Sequence, residues 1–187
     1  MLKKLGSFLL ILLAGCFIWV LCNIEAISKK YIYPVHYGQY VEQAAYETGI
    51  DKYLIYAVIK TESNFDEKAE SDVGARGLMQ LMEDAFDWVK YRMDDEREIN
   101  YDDMYTAEYN IEYGSYLIKL LYEEYGDEET ALAAYHSGRG SVNGWLKEKQ
   151  YSSDGKTLDK IPSSATEHYV HKVMTAYEVY TNLYRSE

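Results

Sequence analysis

The chain has 187 residues, a formal net charge of -12, 48% hydrophobic residues and only two prolines. That length and apolar content suit one compact domain behind a short leader, and they exclude a long disordered region. The acid excess excludes a phosphate-tracking surface, which needs clustered Lys and Arg; no nucleic-acid partner is expected, and electrostatic docking on anionic lipid is disfavoured on the same ground.

Lys3 and Lys4 open the chain, and Leu5 to Cys22 is an almost unbroken apolar run. It is close to the roughly 20 residues that a membrane-spanning helix needs. Residues 1–28 are therefore expected to form a signal anchor or transmembrane segment, with the folded domain at 29–187. The basic start places the short end in the cytoplasm, an asymmetry that Lys29 and Lys30 reduce. A cleaved signal peptide is a second reading. A lipoprotein signal is a third, since Leu13-Ala14-Gly15-Cys16 has the look of a box preceding a lipidated cysteine, although residues 17–22 stay apolar where a mature lipoprotein turns polar. All three readings put the rest outside the cytoplasm: single-pass in the cell membrane, lipidated at Cys16, or secreted. Cys16 and Cys22 are the only cysteines and both lie in the apolar run, so the domain has no disulfide framework and no thiolate metal site.

Beyond the leader, apolar residues recur three and four apart, which predicts an all-α domain. Gly49 is a stop for one helix, and Asp51 caps the next, which carries Leu54, Ile55, Val58 and Ile59 on one side. Ile111, Gly114, Leu117, Ile118, Leu121 and Tyr125 form a stripe that ends at Gly126. Asp127 caps a helix through Ala131 and Tyr135 that Gly138 and Gly140 close, and the last helix, from about Thr166, buries Val170, Val173, Tyr177, Tyr180 and Leu183.

Glu62 falls at the end of the Asp51 helix, where the carbonyl end of the dipole destabilises a carboxylate and raises its pKa. Taken alone it reads as a solvated glutamate at a fraying helix end. A general acid, however, must hold its proton near neutral pH, and it gains from that dipole and from apolar neighbours such as Ile59.

Glu62 stands in Thr61-Glu62-Ser63-Asn64-Phe65, followed by Ser71-Asp72-Val73-Gly74-Ala75-Arg76-Gly77-Leu78-Met79-Gln80 and then Ala133-Ala134-Tyr135-His136-Ser137-Gly138. In these segments the chain resembles the soluble lytic transglycosylase domain family, whose E-S, G-L-M-Q and A-Y-N-x-G motifs they approach in the same order. Tyr33-Pro34 and the closing Ile161-Pro162 … Tyr169-Val170 extend the resemblance from about Tyr33 to Tyr184. It implies a goose-type-lysozyme-like helical fold and cleavage of peptidoglycan. It also implies Glu62 as the catalytic acid, with Ser63, Ser71, Gly77, Leu78, Met79, Gln80, Tyr135, His136 and Tyr169 contacting substrate. The residues have readings of their own beside it. The Gly74–Gly77 turn lets backbone approach a ligand closely, and the Gln80 amide suits sugar hydroxyls or an N-acetyl group. Tyr135 either stacks on a sugar or completes the core.

The chain departs from the family pattern at three places. His136 replaces an asparagine, exchanging a neutral amide for a titratable ring. Ala165 replaces a glutamate ahead of the closing motif, and Glu83 replaces a common proline.

A second carboxylate is not assignable: Asp66, Glu67, Glu70 and Asp72 fall in a polar, solvent-facing stretch. The resemblance implies a way round this, because Glu62 would protonate the oxygen between N-acetylmuramic acid and N-acetylglucosamine and the muramoyl C6 hydroxyl would then attack internally, leaving a 1,6-anhydro end. His168 and His171, three apart on a helix, read as a solvated face, and neither metal nor cofactor is expected. The expected partners are peptidoglycan glycan strands and the cytoplasmic membrane, with the protein a monomer. A water-using muramidase and a catalytically idle glycan-binding module are the competing readings.

Overall fold

The computed structural model describes residues 2–185. Helix α1 (Leu2–Ile27) runs directly into a π-helical turn at Ser28–Ile32. After it come α2 (Gly38–Thr48), α3 (Lys52–Glu62), α4 (Glu83–Met93), a 3-10 turn at Tyr101–Tyr105, α5 (Ala107–Tyr125), α6 (Glu128–Ser137), α7 (Arg139–Trp145) and α8 (Ser164–Tyr184). Among the described residues, extended pairing is confined to isolated bridges from Arg76 to Glu70 and to Leu81. The domain is all-α, as the periodicity predicts.

Local chemistry sets the helix boundaries. Gly49 and Gly126 end α2 and α5 in the left-handed region. Asp127 begins α6, its carboxylate accepting from the Thr130 amide at 2.8 Å and from the Thr130 hydroxyl at 2.6 Å. Two boundaries differ from the sequence reading. The last helix starts at Ser164 because Ser163 caps it, accepting from the Thr166 amide at 3.3 Å. Gly138 alone closes α6, while Gly140 lies inside the short α7, which too few apolar residues mark in the sequence.

Every residue of α3 from Tyr53 to Ile59 is buried, so α3 is enclosed all round instead of being one-sided. It packs against α2 and, most extensively, α8; α5 lies on α2 and α6, and α6 in turn packs on α8. Burial of each large aliphatic side chain contributes roughly 1.5–3 kcal/mol, and α3 contributes Leu54, Ile55, Val58 and Ile59. On α8, Val170, Val173 and Tyr180 are buried, whereas Tyr177 and Leu183 are only half-buried.

Asp51 fixes the entry of α3 and also ties it to α8. Its carboxylate accepts from the Tyr53 amide at 2.9 Å, from the Tyr177 hydroxyl at 3.2 Å, and from the Arg185 guanidinium. Asp51→Ala is expected to lower unfolding stability by about 1–2 kcal/mol, a cap-sized loss, with helix content retained. Denaturant melts followed by circular dichroism in detergent would measure this.

Candidate active site

The connection from α3 to α4 shapes the site, and one buried side chain holds it. Asn110 of α5, fully enclosed, accepts from the Met79 amide at 2.7 Å and donates to the Arg76 carbonyl at 2.9 Å and the Met104 carbonyl at 2.8 Å. Gly77 makes this approach possible. At φ +74° a Cβ there would lie 2.2 Å from the Met104 carbonyl oxygen and 2.4 Å from Asn110 Nδ2. The close approach that Gly77 permits is therefore to protein. Leu78 and Met79 are fully buried, and Met79 sits against Gly114, where a Cβ would come within 2.5 Å of its sulfur. The Ser71 hydroxyl accepts from the Ala75 amide at 2.9 Å and closes the preceding turn.

Gln80, half-buried, is the residue this loop presents outward. Its amide nitrogen donates to the carbonyls of Ala69 at 3.1 Å and Gly77 at 3.0 Å. Both neighbours are acceptors, so the amide orientation is forced and only its oxygen is left for a ligand. Gln80 has φ +48°, and Asn64 and Phe65, just past α3, have φ +50° and +69°. Asn64 and Gln80 line one cleft, so backbone strain of order 1–3 kcal/mol per residue sits in its wall.

That cleft, of about 770 Å³, is lined by Glu62, Ser63, Asn64 and Gln80, by Lys60 and Tyr33 on one side, and by Glu70 and Lys172 at its edges. Glu62 is the last residue of α3 and is half-buried. Burial pushes its carboxyl up to about 7; the Tyr169 hydroxyl and the Lys172 ammonium pull against that rise without cancelling it. The Tyr169 hydroxyl is buried with no hydrogen bond of good geometry to protein, and the Glu62 carboxyl is the group it acts on. Tyr135, which also feels the Glu62 charge, donates to the Met79 carbonyl at 2.6 Å and so locks α6 to the loop.

Tyr135 and His136 line a second hollow of about 440 Å³ with Met82, Trp88 and Arg139. The His136 ring stacks on Tyr169 with centroids 4.5 Å apart, and its Nδ1 lies 3.3 Å from the Thr166 hydroxyl. Burial lowers its pKa, so the ring is neutral at neutral pH, as the asparagine it replaces would be. Glu83 begins α4, where a carboxylate suits the helix N-terminus, and Ala165 is exposed in the first turn of α8.

Of the residues singled out from sequence, the structure brings Glu62, Ser63, Gln80, Tyr135, His136 and Tyr169 to the two hollows or the wall between them. Ser71, Gly77, Leu78 and Met79 instead build and anchor the loop. Lys60, Asn64, Glu70, Lys172 and Asn110 were not legible as site residues. Asn110 carried a signal nonetheless, being a polar residue on the buried α5 stripe beside Ile111.

An open cleft of about 770 Å³, a half-buried carboxyl in it that burial raises to about 7, and an all-α frame around both are the arrangement of the lysozyme-like class of helical domains. More narrowly, the chain belongs to the transglycosylase SLT domain family, whose model matches residues 39–158. It is 33% identical over 118 residues to a transglycosylase of Enterobacteria phage PRD1, covering 63% of this chain and 40% of that protein. It is 31% identical over 152 residues to a soluble lytic murein transglycosylase of Salmonella typhimurium, covering 79% of this chain and 23% of that one. A crystal structure of an inactive glutamate-to-glutamine mutant of the lytic transglycosylase Slt from Pseudomonas aeruginosa superposes with a TM-score of 0.71 at 26% identity, over 91% of this chain and 29% of that one. The chain thus spans less than half the length of these relatives.

Removing the Asn110 side chain strands the Met79 amide and the Met104 carbonyl in the core, while the Arg76 carbonyl keeps only the Leu81 amide. Asn110→Ala is expected to destabilise the fold by about 3 kcal/mol or more and to loosen the Gln80 loop. A thermal melt together with faster amide exchange at Met79 would register both effects.

Proposed function

We propose that this domain is a peptidoglycan lytic transglycosylase in which Glu62 is the single acid and base. The observation that carries the reading is the Glu62 carboxyl, raised to about 7 in a cleft of glycan size. The family membership and the names of the relatives support it. Protonated Glu62 gives its proton to the oxygen between N-acetylmuramic acid and N-acetylglucosamine as the C1–O bond breaks. The substrate's own N-acetyl oxygen stabilises the anomeric centre. Glu62, now a carboxylate, takes the proton of the muramoyl C6 hydroxyl as that oxygen closes on C1, which returns the acid form and leaves a 1,6-anhydro end. No water is consumed, and the nucleophile is already attached to its target.

Gln80 with its free amide oxygen accepts from a sugar hydroxyl or N-acetyl N–H, while Ser63 and the Tyr135 and His136 rings line the glycan path. Ser71, Gly77, Leu78 and Met79 serve by holding Gln80 in place. We further read residues 1–28 as a single-pass anchor, with residues 29–187 as an extracytoplasmic domain acting on glycan strands next to the cytoplasmic membrane. A helix long and apolar enough to span supports this, as do relatives named membrane-bound lytic murein transglycosylases. A mere glycan-binding module has no use for a carboxyl whose ionised form is costly.

One observation favours a second reading, a water-using muramidase. Glu70, placed in the polar stretch by sequence, lines the same cleft and is exposed, 3.9 Å from the Arg76 guanidinium. It is available to activate water. Mass analysis of peptidoglycan fragments separates the two. Under the transglycosylase reading, Glu62→Gln abolishes release, Glu70→Gln retains anhydro ends, and reducing ends that vanish in Glu70→Gln would establish the muramidase instead.

The Glu62 proton has a stability signature as well. Its folded pKa lies above its ordinary value, so the fold binds the extra proton between the usual carboxylate range and about 7, and stability falls as pH rises through that window. Glu62→Gln escapes this penalty and is expected to be more stable than the parent at pH 8, by up to roughly 3 kcal/mol, with the two converging near pH 4. Paired melts at the two pH values test this.

Because the Tyr169 hydroxyl pulls the Glu62 pKa down, Tyr169→Phe is expected to move the alkaline limb of kcat/KM to higher pH. A limb that stays in place would remove Tyr169 from the tuning of the acid.

A further inference from the structure

The segment leaving α1 is also a wall of the cleft. Tyr33 lines the cleft with Glu62, and it is clamped from α8. The Tyr184 hydroxyl reaches the Tyr33 carbonyl at 2.8 Å and the Lys29 carbonyl at 3.3 Å, and the Tyr180 hydroxyl donates to the Pro34 carbonyl at 3.0 Å. The Tyr33 ring meets Tyr180 edge-on at 5.4 Å, and Lys60 Nζ lies over its other side, 5.7 Å from the centroid. Tyr33 also returns its amide to the Ser28 carbonyl at 2.8 Å, which makes the π-helical turn continuous with the domain. The connection from α1 to the catalytic domain is therefore helical backbone, clamped at its upper end by two tyrosine hydroxyls, where a tethered domain would have a flexible linker.

This stalk is short. The apolar run ends at Cys22, and from Cys22 to Tyr33 a rise of ~1.5 Å per residue lifts the cleft wall by about 16 Å at most. Counted by hydropathy, the span reaches Ile32, one residue from Tyr33. The headgroup layer itself takes up about 5–7 Å of that height. Apolar exposure also continues past Cys22: Ile24, Tyr31, Ile32 and Val35 all stay exposed, as a segment at a bilayer surface would leave them.

We infer that the cleft is held at a fixed, short height above the outer face of the bilayer, so that its substrates are glycan strands still carried on a membrane lipid. On a stalk of this length the cleft meets only glycan that lies close to the bilayer surface. A strand anchored by a lipid at its growing end passes the cleft close to that end. The height of the cleft then sets how many sugars remain on the lipid after cleavage. This inference rests on the transglycosylase reading and on α1 spanning the membrane.

The test uses the full chain in phosphatidylglycerol vesicles that carry glycan strands on polyprenyl pyrophosphate. Its readout is the length of the stub left on the lipid. The parent chain is expected to leave a short stub of narrow length distribution. A roughly 20-residue Gly/Ser insertion between Ile27 and Ser28, which keeps the clamp but frees the height by about 25 Å, is expected to lengthen and broaden it. Cleavage of detached, purified peptidoglycan should be the same for both. Tyr184→Phe, which loosens the clamp without touching the cleft lining, should broaden the distribution in the same direction and keeps the test open if the insertion disturbs folding. Identical stubs from all three proteins would overturn the inference, as would a parent chain that spares lipid-carried strands while cutting detached ones. Failure of every form to release anhydro ends from detached peptidoglycan would overturn the transglycosylase reading itself.

Discussion

The site depends on a buried amide. Asn110 accepts one hydrogen bond and donates two, all to main chain, and so fixes the stretch from Arg76 to Met79 against α5 and the 3-10 turn. An aliphatic residue in its place would fill the space but leave the loop's polar groups without partners in the core, where each costs about 1–3 kcal/mol. The Tyr135 hydroxyl then attaches to the Met79 carbonyl, which joins α6 to the same loop. With both contacts made, Gln80 has one available conformation, despite a positive φ that an unsupported glutamine would leave.

The chemistry is set against this rigid wall. Glu62 reaches the cleft because α3 ends there, and α3 is enclosed on every side up to Ile59. Its carboxyl is surrounded by little that stabilises charge: burial raises the pKa, the helix terminus adds an adverse dipole, and only the Tyr169 hydroxyl and Lys172 oppose them. The balance falls near neutrality, where one group can give a proton and take one back with similar ease. Stronger stabilisation of the carboxylate would leave no acid, and complete burial would leave no base. The fold accepts the resulting loss of stability at alkaline pH, together with two strained residues in the cleft wall, Asn64 and Gln80.

The sequence exposed the parts that depend on local pattern. Caps at Asp51 and Asp127, stops at Gly49 and Gly126, and the raised pKa of a carboxyl at the end of α3 all follow from residue type at a given helical position. What it concealed depends on tertiary contact. Gly77, Leu78 and Met79 stand beside Gln80 in the chain, and adjacency alone suggests that the four act together on substrate. Only packing shows that Gly77 meets Met104 and Asn110 while Gln80 faces the cleft. Lys60 and Lys172 are far apart in the chain, and the α3–α8 contact brings them to one cleft. His136 illustrates the same limit: burial lowers its pKa, and that burial, like its stacking on Tyr169, has no counterpart in the local sequence.

The tyrosine excess, 21 against four phenylalanines, acquires a structural explanation at α8. Tyr169, Tyr177, Tyr180 and Tyr184 lie along one helix, and each uses its hydroxyl on a different target: the Glu62 carboxyl, the Asp51 cap, the Pro34 carbonyl, and the carbonyls of Lys29 and Tyr33. Phenylalanine would supply the same apolar area but neither the hydrogen bonds of Tyr177, Tyr180 and Tyr184 nor the hydroxyl that Tyr169 turns to Glu62. A single helix thereby tunes the acid, secures the start of the helix that carries it, and clamps the segment that leads to α1. Movement of α8 would disturb all three together, so the acid strength of Glu62 and the position of the cleft relative to α1 are coupled through the rigidity of one helix.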